Sequence, residues 1–218
     1  MIEIDGLKKL YHERTVLDVP SLRVQQGGTL ALAGANGSGK TTLLRILAGN
    51  LQQTEGSFCT ASPVLYLPQR TYAFRGTVLE NTLLGAKDQK EEALRVLEEL
   101  ELIRLKDKKA SSLSGGELQR LAFCRLLVRS CRLLLLDEPT SACDAAGTKL
   151  LLEALGRYRK KTGCTVILST HAPTVALRAA QRLLILNDGR IEADGEPQTV
   201  LQSPGSPWTK QFVEGWKL

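Results

Sequence analysis

No stretch of this sequence is apolar for long enough to cross a bilayer, since a spanning helix needs about 20 such residues and the longest leucine run is Leu133–Leu136. The opening MIEIDGLKK also lacks the apolar centre of an export signal, so any membrane role is expected to come through a partner. No C-x-x-C spacing occurs, and the five cysteines (Cys59, Cys124, Cys131, Cys143, Cys164) are odd in number and scattered. That argues against a disulfide framework or a zinc site and for reduced thiols. Internal repeats and low-complexity linkers are absent too, which removes solenoids and disordered tethers from consideration.

What is present fits one sizeable core with a subdomain attached: 218 residues, 43% of them hydrophobic and 24% charged. The net charge of +6 suits an anionic ligand, but acidic and basic residues are interspersed, so direct nucleic-acid binding is not expected. Ile2 and Ile4, then Val16 to Val24, alternate as strands do, and Gln26-Gly27-Gly28 is a turn before an apolar strand over Thr29 to Ala33. Leu43, Leu44, Ile46 and Leu47 predict a helix that stops at Gly49-Asn50. Another short strand ends around Tyr66 to Gln69. From about Thr77 to Arg129 the pattern is helical, with Leu94, Leu97 and Leu100 on one face. Strands at Leu133–Leu136 and Thr165–Leu168 flank a helix over Lys149 to Lys161, the alternation of a parallel sheet with crossover helices. Asn187-Asp188-Gly189 predicts a hairpin turn within Leu183 to Ala193.

The chemistry gathers at two places. Gly34-Ala35-Asn36-Gly37-Ser38-Gly39-Lys40-Thr41 fits G-x-x-x-x-G-K-[ST] between a strand and a helix. There, successive backbone N–H groups and a helix N-terminus surround polyphosphate; Lys40 reaches the β and γ phosphates, and the Thr41 hydroxyl ligates Mg²⁺. Asp137 and Glu138 follow the buried run Leu133–Leu136, at the strand end where α/β sheets place ligands. Asp137 is suited to holding Mg²⁺ and Glu138 to polarising the water that attacks the γ-phosphate, so together with the phosphate loop they favour hydrolysis over binding alone.

GANGSGKTT, LSGGELQR, LLLLDEPT and the later STH, in this order, resemble the nucleotide-binding domain of the ATP-binding cassette family over nearly the whole chain. The resemblance implies an α/β fold: a P-loop NTPase (RecA-like) core with an N-terminal antiparallel β subdomain, at about 1–72 and 130–218, and an inserted α-helical subdomain at about 73–129. It implies ATP and Mg²⁺ as ligands and ATP hydrolysis as the activity. The phosphate loop (Gly34, Asn36, Gly37, Ser38, Gly39, Lys40, Thr41, Thr42) holds the nucleotide, and Tyr11 lies where the family stacks an aromatic on adenine. Ser114, Gly115 and Gly116, the signature, cover the ATP bound by a second copy; Gln69 matches the glutamine that contacts Mg²⁺ and water. His171 matches the switch histidine that contacts the γ-phosphate, and Asp144 matches the aspartate that links the two sites across a dimer.

Some positions depart from the family pattern or serve two readings. Ser114-x-x-Glu117 also reads as a capping box, and Asp144 as the N-cap of the next helix. Glu117 stands where Gln is commoner, Cys143 where Leu is commoner, and Ala172 where an Asp would cap a helix. The resemblance further implies a second nucleotide-binding domain as partner, here a homodimer, together with integral membrane permease subunits and a substrate-binding protein. The chain itself would not touch cargo, and Phe74 to Asn81 would lie near the groove for the permease. The expected place is cytoplasmic, peripheral on the inner membrane. An importer subunit is the expected function, with a soluble non-transport ATPase or an exporter-type subunit as alternatives. The short helical segment and terse C-terminus resemble tungstate or molybdate importer subunits. After Ser203 to Trp208, an irregular turn is expected to lead into a short amphipathic segment with Phe212 and Trp216.

Overall fold

A computed structural model describes residues 1–216. The chain divides into two compact units. The first contains Met1–Tyr66, Arg132–Glu138 and the residues from Gly163 on; the second contains Leu67–Cys131 and Pro139–Thr162.

In the first unit β1 (Ile2–Tyr11) and β2 (Arg14–Val24) pair antiparallel. Ile2, Ile4 and Leu7 on one strand and Leu17, Val19, Leu22 and Val24 on the other are buried. This near-alternation leaves the opposite face polar, as expected of a strand with one face on a core. β3 (Thr29–Gly34) is buried throughout, and β4 (Glu55–Cys59), which alternation in the sequence does not betray, adds to the free side of β1. The larger sheet runs β5–β6–β7–β3–β8–β9, with β5 at Val64–Leu67, β6 at Leu133–Leu136, β7 at Thr165–Ser169, β8 at Arg182–Asn187 and β9 at Arg190–Gly195. β6, β7, β3 and β8 are parallel neighbours, and β9 returns antiparallel through the expected turn at Asp188-Gly189. A parallel strand covered on both faces has no polar side to show, which is why β6 reads as an unbroken leucine run with every residue inaccessible to solvent.

Helix α1 (Lys40–Leu47) follows β3 and buries Leu43, Leu44, Ile46 and Leu47 in the same core. Gly49, at φ +73°, ends it in the left-handed region where glycine carries no Cβ penalty. The rest of the first unit includes α6 (Pro173–Ala179), α7 (Pro197–Gln202) and α8 (Pro207–Trp216). The amphipathic segment anticipated near the end is thus a regular helix, and it takes in Trp208, so the irregular turn covers Ser203 to Ser206 and is shorter than expected.

The second unit is helical: α2 (Val78–Thr82), α3 (Lys90–Glu99), α4 (Gly115–Leu127) and α5 (Ala145–Thr162). Both α2 and α4 begin with complete capping boxes, Thr77 with Glu80 and Ser114 with Glu117. The stripe expected at Leu94, Leu97 and Leu100 is shifted: Ala93, Val96, Leu97 and Leu100 are buried and Leu94 is half-exposed, because the helix turns its smaller Ala93 inward. Across the unit, Glu99 pairs with Arg157, and Glu92 accepts from Arg95 at 2.7 Å and from Lys161 at 2.9 Å.

Candidate functional site

Three parallel strands of the first unit deliver their C-terminal ends to one place. β3 runs into the loop Gly34 to Gly39, β6 into Asp137-Glu138, and β7 into Thr170-His171. Strand ends in such sheets are natural ligand sites because the connecting loops are free to diverge there.

Two of the loop glycines, Gly34 and Gly39, are dictated by space, and Gly37 by its φ of +80°. At Gly34, φ is +143°, and a Cβ would stand 2.2 Å from the Leu186 carbonyl oxygen and 2.6 Å from Ser38 Oγ. No other residue type fits without displacing β8. Gly39 enters α1 at φ +103°. The loop is propped by the β8–β9 turn: Gly189 donates its N–H to the Ser38 carbonyl at 3.1 Å, while the Gly189 carbonyl accepts from Asp18 N at 2.8 Å. The sequence marked that turn as a hairpin without revealing this support. Asn36 and Gly37 are exposed at the loop tip, with Thr41 exposed and Thr42 half-exposed on the first turn of α1. The Lys40 ammonium donates to the carbonyls of Gly34 (2.8 Å) and Ala35 (2.9 Å). Burial lowers the pKa of Lys40, and the carboxylates of Glu138 and Asp137 oppose that shift. These groups share one electrostatic neighbourhood.

Asp137 is 1% exposed. One of its oxygens accepts from Ser169 Oγ at 2.7 Å and the other from the Tyr66 hydroxyl at 3.4 Å. Ser169 Oγ in turn accepts from the Glu138 N–H at 2.9 Å, so one fully buried hydroxyl orients both acidic residues. Sequence reasoning recognised Ser169 only as the first letter of Ser169-Thr170-His171; its side-chain role requires β6 and β7 to be known neighbours. Glu138 has φ +48°, an uncommon state for a non-glycine residue and one that concentrates at functional sites. Its carboxylate lies 2.7 Å from His171 Nε2, and the His171 side chain is 42% exposed. The structure therefore brings together the phosphate loop, Asp137, Glu138 and His171 in one unit.

The donor set suits a hard divalent cation. A buried carboxylate is normally paired or metal-bound, yet among the described residues Asp137 is met by neutral hydroxyls and makes no salt bridge. Among those residues no group of three or more His, Cys, Asp or Glu could hold a metal by itself. Asp137 and Thr41 offer the one or two protein oxygens with which Mg²⁺ sites are completed by phosphate and water.

Tyr11 closes β1 beside the His12-Glu13 turn, 48% exposed, with the Lys9 ammonium 5.0 Å from its ring centre. The remaining expected residues belong to the second unit. Gln69 is exposed just after β5. Ser114 caps α4: the Glu117 carboxylate accepts from Ser114 N at 2.8 Å and from Ser114 Oγ at 2.9 Å. Those bonds hold the Glu117 pKa below the usual carboxylate range, the backbone N–H contributing most. Gly115 has open space where a Cβ would be, and at Gly116 a Cβ would touch the Ala142 carbonyl oxygen at 3.4 Å. Asp144 Oδ1 accepts from Gly147 N at 2.7 Å, so it does cap α5.

Comparison with known proteins agrees with this geometry. Residues 17–141 match the family model described as ABC transporter. The chain is 35% identical over 98% of its length to the spermidine/putrescine import ATP-binding protein PotA of Mannheimia succiniciproducens, and spans 62% of that relative. It is 37% identical over 97% of its length to the sulfate/thiosulfate import ATP-binding protein CysA of Bradyrhizobium diazoefficiens, spanning 68% of it. The ATP-binding cassette MJ0796, solved as a dimer in a post-hydrolysis state with ADP and Pi, superposes with a TM-score of 0.82 at 26% identity, over 90% of this chain and 99% of that one. The fold is thus a P-loop NTPase core with an N-terminal β subdomain and an inserted helical subdomain, and the chain belongs to the ABC transporter family.

Proposed function

We propose that this chain is the ATP-hydrolysing subunit of a membrane importer. The observation that carries the reading is the Glu138–His171 pair, 2.7 Å apart, in the same unit as a complete phosphate loop and a buried aspartate. The backbone N–H groups of Gly37 to Thr42 and the N-terminal end of α1 bind the phosphates of ATP. Lys40 exchanges its two loop carbonyls for phosphate oxygens, a trade of neutral for charged acceptors that strengthens the bond. Thr41 and Asp137 would hold Mg²⁺, which would supply charge neutralisation on the β and γ phosphates; Gln69 is assigned to Mg²⁺ and water by its place in the motif alone. Glu138 accepts the proton of the attacking water, and His171 keeps that carboxylate aimed while its exposed face meets the γ-phosphate. Tyr11 offers an open ring for adenine.

Ser114, Gly115 and Gly116 belong to the companion half of the site, contributed by a second copy, and Asp144 joins the two halves. ATP shared in this way favours the closed dimer by as much as it binds that state better than the open one. The import ATP-binding proteins among its relatives favour work delivered to permease subunits, with the chain on the cytoplasmic face; among the described residues no helix is long and apolar enough to cross a membrane. Tyr72 and Phe74 support that reading: 57% and 49% exposed, packed edge to face, with the Phe74 backbone held at N and O by the buried Asn81 side chain, they form a stiff aromatic platform. A substrate-binding protein would complete an import system. The relatives are named as ATP-binding proteins of spermidine/putrescine and of sulfate/thiosulfate import; nothing in them speaks specifically for tungstate or molybdate.

The test is Glu138→Gln in the purified chain. MgATP binding is expected to persist while turnover falls by about a thousandfold, the scale of removing a catalytic base. Turnover at the wild-type rate would remove Glu138 from the reaction.

A further inference from the structure

The C-terminal helix reaches the catalytic pair directly. On α8, Trp208, Phe212 and Trp216 recur every fourth residue and so lie on one face, all three half-buried. Trp208 and Phe212 are stacked, ring centres 5.3 Å apart and planes 6° from parallel; Phe212 and Trp216 follow at 5.6 Å and 32°. The adjoining face anchors the helix through buried Thr209 and Val213. Its start is fixed by Ser206, whose hydroxyl accepts from Thr209 N at 3.1 Å, and by Pro207 in the first turn. At the far end of this ladder the Trp216 indole N–H donates to the His171 carbonyl at 2.6 Å.

That carbonyl lies between β7 and α6, outside the hydrogen-bond ladder of either element. The acceptor of the first turn of α6 is Ala172 O, one residue later, so the helix ladder does not use His171 O. Ala172 caps α6 without a side-chain hydrogen bond, and the local support comes from Thr170, whose Oγ1 accepts from Ala172 N at 3.0 Å and whose N–H donates to the Leu32 carbonyl at 3.0 Å. A bond to the His171 carbonyl fixes the peptide plane that follows the residue. It thereby restrains ψ and the direction in which the Cα–Cβ bond sends the imidazole.

We propose that Trp216 is a positioning residue for hydrolysis: its indole N–H, backed by the Phe212 and Trp208 rings, holds the His171 backbone so that Nε2 meets Glu138. The inference rests on the proposed role of the Glu138–His171 pair and adds to it a control element, because whatever shifts α8 shifts the histidine. Trp216→Phe is the informative change. It keeps an aromatic ring for the stack while removing the N–H and the indole's second ring at a half-buried position, so the fold should persist.

The test is a double-mutant cycle on the full chain, by single-turnover hydrolysis of MgATP, with nucleotide affinity and thermal unfolding measured alongside. Trp216→Phe should lower the hydrolysis rate about fivefold, the scale of one lost hydrogen bond, while nucleotide affinity changes less than about twofold. In a His171→Ala background the same substitution should have no further effect, since the group it positions is gone. With Trp208→Phe, Trp216 is the one remaining tryptophan of the two, and its emission should respond to MgATP. A wild-type rate in Trp216→Phe while His171→Ala is slow overturns the inference and leaves the histidine's role intact. Equal slowing in both backgrounds overturns it as well, placing the tryptophan's effect elsewhere. A wild-type rate in His171→Ala removes the histidine from the reaction and the inference with it.

Discussion

Ser169→Ala tests how the acidic residues are held. The hydroxyl is fully buried and serves two partners, donating to Asp137 at 2.7 Å and accepting from the Glu138 N–H at 2.9 Å. Alanine leaves a carboxylate that is 1% exposed short of a donor and a backbone N–H short of an acceptor. Each unsatisfied buried group costs about 1–3 kcal/mol, so the sum is about 2–6 kcal/mol. For a urea slope of about 2 kcal/mol per molar, the unfolding midpoint should fall by about 1–3 M. The same change frees the aim of Glu138, whose φ of +48° persists only while its surroundings enforce it. Hydrolysis should fall about 10- to 100-fold, as it does when an outer ligand-orienting group is removed. Equilibrium unfolding followed by tryptophan emission gives the first quantity and single-turnover hydrolysis the second. A midpoint within 0.3 M of wild type, about 0.6 kcal/mol at that slope, together with an unchanged rate would refute the reasoning.

Three further outcomes follow from named contacts. Glu117→Gln keeps the carbonyl that accepts from Ser114 N but removes a charge at the signature, so ATP-dependent self-association should tighten several-fold at low salt, and the gain should shrink as salt is added, measured by sedimentation. Gly34→Ala should prevent accumulation of folded protein or lower its melting temperature by more than about 10 °C, because the new Cβ would stand 2.2 Å from a backbone oxygen of β8. Arg95 holds the Glu92 carboxyl down to about 2, with Lys161 adding to it. Since the folded value lies below the unfolded one near 4.5, this pair stabilises above about pH 4.5 and the contribution is lost as pH falls toward 2; Glu92→Gln should flatten the acid limb of the stability curve there.

Much of this architecture was legible because burial leaves a periodic trace. Two-sided burial wrote β6 as four leucines, one-sided burial wrote β1 and β2 as alternation, and the phosphate loop announced itself by its glycines, of which the packing of β8 requires Gly34. β4 was not legible, since Glu55, Gly56, Ser57 and Cys59 are all exposed and only pairing with β1 makes them a strand. In α3 a charged, leucine-bearing segment suggested the wrong stripe because Ala93 contributes to burial without looking apolar enough to be counted. Within the site, the phosphate loop and Asp137-Glu138 could be named from spacing, the other motif residues only through the family resemblance, and the capping role of Ser114 from Glu117 three residues on. The supports could not. Ser169 beneath Asp137, Gly189 beneath Ser38 and Trp216 on His171 are each joined across a separation that only the sheet order and the path of α8 close.

The central claim, that the working site is shared between two copies, is tested most directly by mixing two broken chains. Lys40→Ala spoils the phosphate-binding half and Ser114→Arg the covering half, so each alone should be nearly inactive. Mixed in equal amounts, they form some pairs with one intact shared site, and MgATP hydrolysis should return to a substantial fraction of the wild-type rate. Full activity of Ser114→Arg by itself, or a mixture no more active than its components, would contradict the account.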